Sequence, residues 1–312
     1  MCYCNLFIMK VTTILYIVLV NIKIWIRKIL NLNPKPYKVL INLTDLCNSR
    51  CNFCDIWKIK PENEINVTEI RNLFKNLNDE LVWLSLSGGE VTLVKYYKEM
   101  IDELVTKCKN IKILAFTTNA LSVSRAFEYA MYAKKKGLDL LVTISLDGDE
   151  EIHDKLRGVK GNYKKCFKLY ELLKQNNINC NFGITLSDQN NDFVEKKFNH
   201  YKDLIKAVTF VHNHGIFNIK KKVEDSKIIR SLNTIYKNYN LTKLEHIIEK
   251  IHLKISIIFL EKNREKNIIP CDVINSSVHL MPNGDVKPCM FMKRIGNIRE
   301  NSLTDILKKK DT

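Results

Sequence analysis

Three cysteines lie within eight residues of one another, Cys47, Cys51 and Cys54, in the run Thr44-Asp-Leu-Cys-Asn-Ser-Arg-Cys-Asn-Phe-Cys54. No glycine interrupts this loop, and three thiolates so spaced can converge on one centre. Soft sulfur donors select zinc, copper(I) or an iron–sulfur cluster. Structural zinc wants four ligands, normally as two spaced pairs, and the next cysteine along the chain is Cys108. Three ligands around a four-iron cube leave one iron open to a further ligand. The remaining cysteines (2, 4, 108, 166, 180, 271 and 289) are too few and too scattered in 312 residues for a disulfide framework. Such usage fits a reducing, cytoplasmic compartment.

Other groups able to do chemistry follow at intervals. Gly88-Gly89-Glu90 pairs glycines, which let a backbone approach closely, with a carboxylate able to hold an ammonium group. Alone it would read as a plain turn. Thr117-Thr118-Asn119, Ser145-Leu-Asp147-Gly148 and Arg157-Gly158 come next, the last with His153 and Asp154 just before it. An arginine fork can grip a carboxylate at two points. His212 and His214 stand two apart on an expected strand, so both point the same way, as ligands, substrate contacts or partly exposed polar side chains.

Something must place these groups together. From Tyr37 onward, apolar runs at 39–42, 81–87, 113–118, 140–146, 180–184 and 207–212 alternate with helix-period segments at 67–76, 97–108, 122–136, 163–175 and 192–204. Strand–helix repeats of this length predict parallel strands with right-handed crossovers, in an open sheet or a barrel. In either architecture the chemistry gathers where strands end and loops begin. The motifs above fall at or just past such ends.

The C-x3-C-x2-C spacing, with an aromatic residue before the last cysteine, closely resembles the signature of the radical S-adenosylmethionine (radical SAM) superfamily. Gly88–Glu90 looks like that family's GGE motif, with Val91 where proline is common. Ala120 follows Asn119 where similar proteins carry glycine. The stretch from Ser145 to Gly158 matches one common in the peptide-modifying branches. The resemblance implies an α/β fold, a partial (β/α)6 TIM-type barrel, and an enzyme. A [4Fe-4S] cluster on Cys47, Cys51 and Cys54 would reductively cleave S-adenosylmethionine to a 5′-deoxyadenosyl radical that takes hydrogen from substrate. It further implies that Gly88, Gly89 and Glu90 hold the methionine amino group and that Asn119 touches the cofactor. Ser145 and Asp147 would face its ribose or carboxylate, Arg157 would pair with a carboxylate, and flavodoxin or ferredoxin would supply the electron.

Near the carboxy terminus, Cys271 precedes a hairpin pattern centred on Asn283-Gly284 and followed by Cys289. This resembles the opening of SPASM or twitch modules, which bind auxiliary iron–sulfur clusters. Two cysteines 18 positions apart cannot complete a four-thiolate site, so the expectation is a degenerate module, or a ligand set completed by a substrate or partner. Cys108, Cys166 and Cys180 read as buried apolar residues. The chain divides into an apolar amino-terminal helix over 1–34, a core over 35–225, a lysine-rich helical linker over 226–268 and the SPASM-like segment over 269–312. No cobalamin or leader-peptide domain is expected before the core.

The segment 11–20 is apolar on every side if helical, whereas Ile22, Trp25, Ile26 and Ile29 share one face of the next stretch. It reads either as a membrane-surface helix or as a hydrophobic helix docked on the domain. The first reading would favour a membrane-proximal or lipid substrate. The net charge is +16, with lysines spread rather than clustered, which fits a solvated basic surface better than a nucleic-acid footprint. A non-enzymatic iron–sulfur or zinc protein binding nucleic acid is the competing class. It has no need of Gly88–Glu90, Ser145–Gly148 and Arg157 at strand ends.

Overall fold

The computed structural model describes residues 11–211, 224–239, 244–262, 273–290 and 292–308. After helix α1 (Val11–Ile29), six strands appear in turn: β1 (Lys38–Asn42), β2 (Trp83–Ser87), β3 (Ile113–Thr118), β4 (Asp139–Ser145), β5 (Cys180–Leu186) and β6 (Ile205–Phe210). Between them run α2 (Val67–Leu77), α3 (Tyr97–Lys107), α4 (Val123–Lys135), the pair α5 (Glu150–Arg157) and α6 (Asn162–Gln175), and α7 (Asn191–Tyr201). All six strands pair in parallel with their chain neighbours, as the repeat predicts, giving the partial (β/α)6 barrel that the resemblance implies.

Toward their carboxy-terminal ends the strands alternate, as Leu84-Ser-Leu-Ser87 and Val142-Thr-Ile-Ser145 show. One face is apolar: Leu84, Leu86, Leu114, Phe116, Val142 and Ile144 are at most 2% exposed and pack with the helices in one core. Burying such side chains contributes roughly 1.5–3 kcal/mol each. The register puts Ser85, Ser87, Thr117, Thr143, Ser145 and Asn181 together on the other, inner face. Parallel sheets covered on both faces normally read as continuous apolar runs. A polar inner face is what a wall facing a ligand looks like.

The lower part of that face is apolar and is covered by α1. Ile17 packs with Trp83, Ile113, Ala115 and Leu141, and Thr13 Oγ1 donates to Asp139 Oδ2 at 2.8 Å. Trp83, Ile113 and Asp139 are the first residues of their strands, so α1 sits at the amino-terminal end of the barrel. The two stretches expected at 11–20 and 22–32 are one continuous helix docked by part of its surface. Among the described residues no helix is long and apolar enough to cross a membrane.

The helical stretch expected from 226 is two helices, α8 (Asp225–Asn238) and α9 (Leu244–Glu261), packed on each other. Then β7 (Ser277–Leu280) and β8 (Asp285–Lys287) form the antiparallel hairpin, with Gly284 at φ +85° in its turn. The hairpin continues the sheet, because β7 pairs in parallel with the free edge of β1 and β9 (Gly296–Asn297) adds beyond β8. Ahead of α10 (Leu303–Lys308), Arg299 clasps this segment to α2 by donating to Glu69 and, at 2.9 Å, to Asn63 O. Glu69 also accepts from Asn66 N at 2.9 Å, closing the capping box that starts α2.

Glu69 therefore joins the clasp to the helix cap, while Arg299 serves the clasp alone, through Glu69, Asn63 O and Asn283 O. Replacing Glu69 with Ala should cost about 1–2 kcal/mol. Replacing Arg299 with Ala should cost about 0.5–1 kcal/mol. Urea unfolding of both variants checks the order, and equal losses would show that the cap contributes nothing.

Candidate active site

The cysteine loop leaves the carboxy-terminal end of β1 and has no repeating structure, so its polar backbone must find partners elsewhere. Leu43 N donates to Ser87 O at 2.9 Å, and Asp45 N and Thr44 Oγ1 donate to the Glu64 carboxylate at 2.6–3.0 Å. At the far side Arg50 N and Ser49 Oγ donate to Arg157 O, and Asn52 N to Leu156 O, at 2.9–3.0 Å. The loop is thus stretched between the end of β2 and the carboxy-terminal end of α5.

The glycines of Gly88-Gly89 serve this packing, where close approach to a ligand was expected. A Cβ on Gly89 would lie 2.0 Å from Leu46 O, and one on Gly88 (φ +124°) 2.4 Å from Thr44 O. Both clashes are with backbone, which cannot swing aside. Gly158 repeats the device on the other flank, at φ +67° with a Cβ position 2.7 Å from Arg50 O.

Cys51 is buried, and Cys47 and Cys54 are half-buried. Burial lifts the Cys47 thiol above its usual range and pushes Cys54 up to about 12. Against this stands Arg157, whose Nη1 lies 3.7 Å from Cys51 Sγ and whose guanidinium covers the Phe53 ring. Burial works against the Arg157 charge, but Asp147 and Cys51 more than restore it. Asn119 Nδ2 approaches Cys47 Sγ at 3.9 Å, and Ser49 Oγ lies 3.2 Å from Cys51 Sγ.

Glu90 is 1% exposed, and its carboxylate ties two strand ends together. Oε1 accepts from Thr92 N, Thr92 Oγ1 and Thr118 Oγ1 at 2.7–3.1 Å, while Oε2 accepts from Asn119 N at 2.8 Å. Burial raises its carboxyl above the ordinary range, opposed by those donors. The Asn119 carbonyl accepts from Asn162 Nδ2 at 2.8 Å, which ties this corner to α6. Ala120 sits at φ +59°, the left-handed conformation that explains the family's glycine here. Ala bears it at a cost of about 1–2 kcal/mol.

Asp147 is fully buried and both oxygens are taken, Oδ2 by Arg157 Nε at 2.6 Å and Oδ1 by Thr185 N at 2.9 Å. It orients Arg157, and both oxygens are engaged within the protein at the place where the resemblance implies a contact with the cofactor. Its amide N–H donates to His153 Nδ1 at 3.1 Å, so the His153 proton sits on Nε2, 3.2 Å from Asn162 Oδ1. Burial, then the Arg157 charge, lowers His153 to about 4. Ser145 lies at the top of the inner wall, its carbonyl 3.4 Å from Cys166 Sγ.

Cys166 was expected as an apolar filler; it is fully buried but also lies 3.7 Å from His153 Nε2. Sequence reasoning missed α5 itself, although Asp149 as an N-cap, two acids in the first turn and Gly158 at the end were all signals for it. It also missed Asn190, whose Nδ2 donates to Asp147 O at 3.0 Å and which nothing in the spacing marks, and it gave Thr118 no role beyond its place in the Thr117-Thr118-Asn119 run. Cys289 is half-buried just past β8, whereas Cys271, His212 and His214 lie outside the described residues.

A parallel α/β barrel with three thiols at the carboxy-terminal mouth defines a class of metal- or cluster-dependent proteins. The Radical SAM superfamily model matches residues 41–199, half of the chain, and the SPASM iron–sulfur cluster-binding domain model matches residues 271–312. The chain belongs to the radical SAM superfamily. It is 26% identical over 284 residues to the antilisterial bacteriocin subtilosin biosynthesis protein AlbA of Bacillus subtilis (strain 168), covering 88% of this chain and 60% of that one. The sporulation killing factor maturation protein SkfB of the same organism is 25% identical over 278 residues, covering 87% and 64%. The chain therefore spans about six-tenths of the length of these relatives. Among solved structures, Streptococcus suis SuiB bound to precursor peptide SuiA has a TM-score of 0.65 at 20% identity, covering 91% of this chain and 67% of that one. The tagged anSMEcpe with bound AdoMet has a TM-score of 0.64 at 18% identity, covering 88% and 81%. These last two likenesses concern the fold.

Replacing Asp147 with Ala leaves the Arg157 charge buried without its partner, at an expected cost of about 3–5 kcal/mol. Asp147→Leu combined with Arg157→Met should recover most of that loss in urea titrations. A double variant no more stable than the single one would place the energy elsewhere. Because His153 is held neutral, its folded pKa lies below the unfolded one. Its stabilisation is complete above about pH 6.5 and is lost as pH falls towards 4. His153→Gln should flatten that part of the melting-temperature profile.

Proposed function

We propose that the chain binds a [4Fe-4S] cluster through Cys47, Cys51 and Cys54 and acts, with S-adenosylmethionine, as a radical enzyme on a peptide substrate. The observation that carries this reading is the trio itself: three thiols on one braced loop at the barrel mouth, with a buried guanidinium 3.7 Å from one sulfur. Three soft donors suit a multi-iron group with one iron left open. A tetrahedral zinc site would want its ligands gathered round one ion. The trio alone falls one donor short of the four that structural zinc takes. Of the four unpartnered buried side-chain atoms among the described residues, two, Ser85 Oγ and Asn181 Oδ1, lie on the inner wall and leave hydrogen-bonding capacity there for a ligand.

When bound, the cluster and S-adenosylmethionine supply a carbon-centred radical able to take hydrogen from substrate. The chain's own part is to hold, orient and shield. Arg157 offsets the negative charge of the thiolates, and Asp147 keeps it aimed at Cys51. Glu90 Oε2 accepts one hydrogen bond and keeps a lone pair for an ammonium group, and Glu90 fixes Asn119 beside Cys47. Ser145, Thr117 and Thr143 offer hydroxyls along the wall. The peptide reading rests on relatives named for bacteriocin biosynthesis and killing-factor maturation, and on a like-folded protein bound to a precursor peptide. Reduced thiols require a reducing compartment and an electron donor such as flavodoxin or ferredoxin.

The test is anaerobic reconstitution, reduction and addition of S-adenosylmethionine, with 5′-deoxyadenosine measured by mass spectrometry. Wild type should form it, and Cys51→Ala should lose both the product and most of the bound iron and sulfide. Bound zinc without iron, or product retained in that variant, would refute the assignment. Stimulation by GTP and not by candidate precursor peptides would replace the peptide reading, since GTP 3′,8-cyclase of Clostridium botulinum is 26% identical over 272 residues.

A further inference from the structure

Helix α1 buries Ile17 against the barrel, yet most of its apolar surface faces outward. Leu15, Leu19, Ile22, Trp25, Ile26 and Ile29 are 45–64% exposed and recur at helical spacing along one stripe. Of the fourteen exposed large apolar side chains among the described residues, nine lie between 15 and 32. Single exposed apolar residues are ordinary, but a continuous stripe marks a surface that meets something.

Charge says what. No acidic residue occurs before Asp45, whereas Lys10, Lys23, Arg27, Lys28, Lys35 and Lys38 precede it. Lys23 is exposed beside the stripe, and Arg27 and Lys28 occupy the last turn of the helix. A second copy packed stripe to stripe would set these cations against each other with no acid on the helix to relieve them. An anionic bilayer surface is complementary to both features: the apolar stripe enters the headgroup boundary and the cations meet phosphate. Among the described residues no helix is long and apolar enough to span, and the stripe is placed in the interface plane.

We propose that α1 docks the protein on anionic membrane surfaces through the stripe from Leu15 to Ile29. This does not depend on the proposed chemistry, and it has a geometric consequence. The helix covers the amino-terminal end of the barrel, by Thr13–Asp139 and Ile17–Ile113, while the thiols lie past the carboxy-terminal ends of the strands. The mouth therefore opens away from the lipid, and the substrate arrives from water. The sequence-level expectation of a lipid substrate does not follow from a membrane-bound α1.

Flotation of the full chain with vesicles of phosphatidylcholine alone, or containing about 30% phosphatidylglycerol, tests the proposal. The protein should float with the anionic vesicles, and binding should weaken as salt is raised. The double variant Leu19→Glu/Trp25→Glu should bind about tenfold more weakly or less. Both sites are exposed, so its melting temperature should match wild type, and Ile251→Glu, at an exposed position on α9, should bind as wild type does. Failure to float with anionic vesicles, or undiminished binding by the double variant, overturns the proposal. So does a lipid-free dimer in sedimentation equilibrium that the same double variant dissolves, because the stripe would then belong to a second copy.

Discussion

The arrangement of the mouth depends on keeping one guanidinium dehydrated and aimed. Arg157 is 8% exposed, and moving such a charge out of water costs several kcal/mol unless a partner returns it. Asp147 is that partner, and its position is over-determined. Thr185 N holds its second oxygen, Asn190 its carbonyl, and His153 its amide. The Arg157 carbonyl meanwhile receives Arg50 N and Ser49 Oγ from the cysteine loop. A single residue thus brings a positive charge to Cys51 with its side chain and anchors the loop with its backbone. Moving α5 would disturb both at once, which couples the shape of the loop to its electrostatics.

The other flank of the loop obeys a steric constraint. Gly88 and Gly89 let the end of β2 run within van der Waals reach of Thr44 and Leu46, and Gly89 N donates to Thr44 O at 2.6 Å. Glu90, next in the chain, carries the same rigidity across to β3 through Thr118 and Asn119. Three strand ends and one helix end therefore act as a frame around a loop that has no hydrogen-bonded repeat of its own. Preorganised donors of this kind do not need to rearrange when a ligand arrives.

Much of this was legible in the sequence, for reasons that differ by element. Five of the six core helices and all six strands were readable because each apolar run was long enough to show its period, and strand bounds fell within two residues of those observed. The cysteine spacing pointed to its own chemistry without any fold. What the sequence hid was division of labour. Asp147 looked like a ligand-facing carboxylate because a strand-ending Asp-Gly carries no mark of burial. Only the fold reveals that Arg157, ten positions on, returns to it through one short helix. The glycines of Gly88-Gly89 signalled close approach, but sequence gives no means of knowing that the backbone of the cysteine loop is one of the groups that approach them. Parallel pairing of β7 with β1 was equally hidden, since a hairpin pattern does not state which edge it joins.

The period-two strands give the clearest link from residue pattern to function. Two inner-face polar atoms, Ser85 Oγ and Asn181 Oδ1, are buried without a partner, at roughly 1–3 kcal/mol apiece. Further up, the wall opens: α1 covers only the lower rows, by Ile17 on Ala115 and Leu141, and leaves Thr117 exposed although it sits in the middle of the sheet. The boundary between floor and open wall thus lies where the inner-face side chains change from Trp, Ile and Leu to Ser, Thr and Asn. Strands of five to seven residues at about 3.3 Å each make a wall some 20 Å tall. A ligand held between that floor and the thiols at the rim would meet hydroxyls and amides along its sides, and only a charged, acid-braced edge at the top.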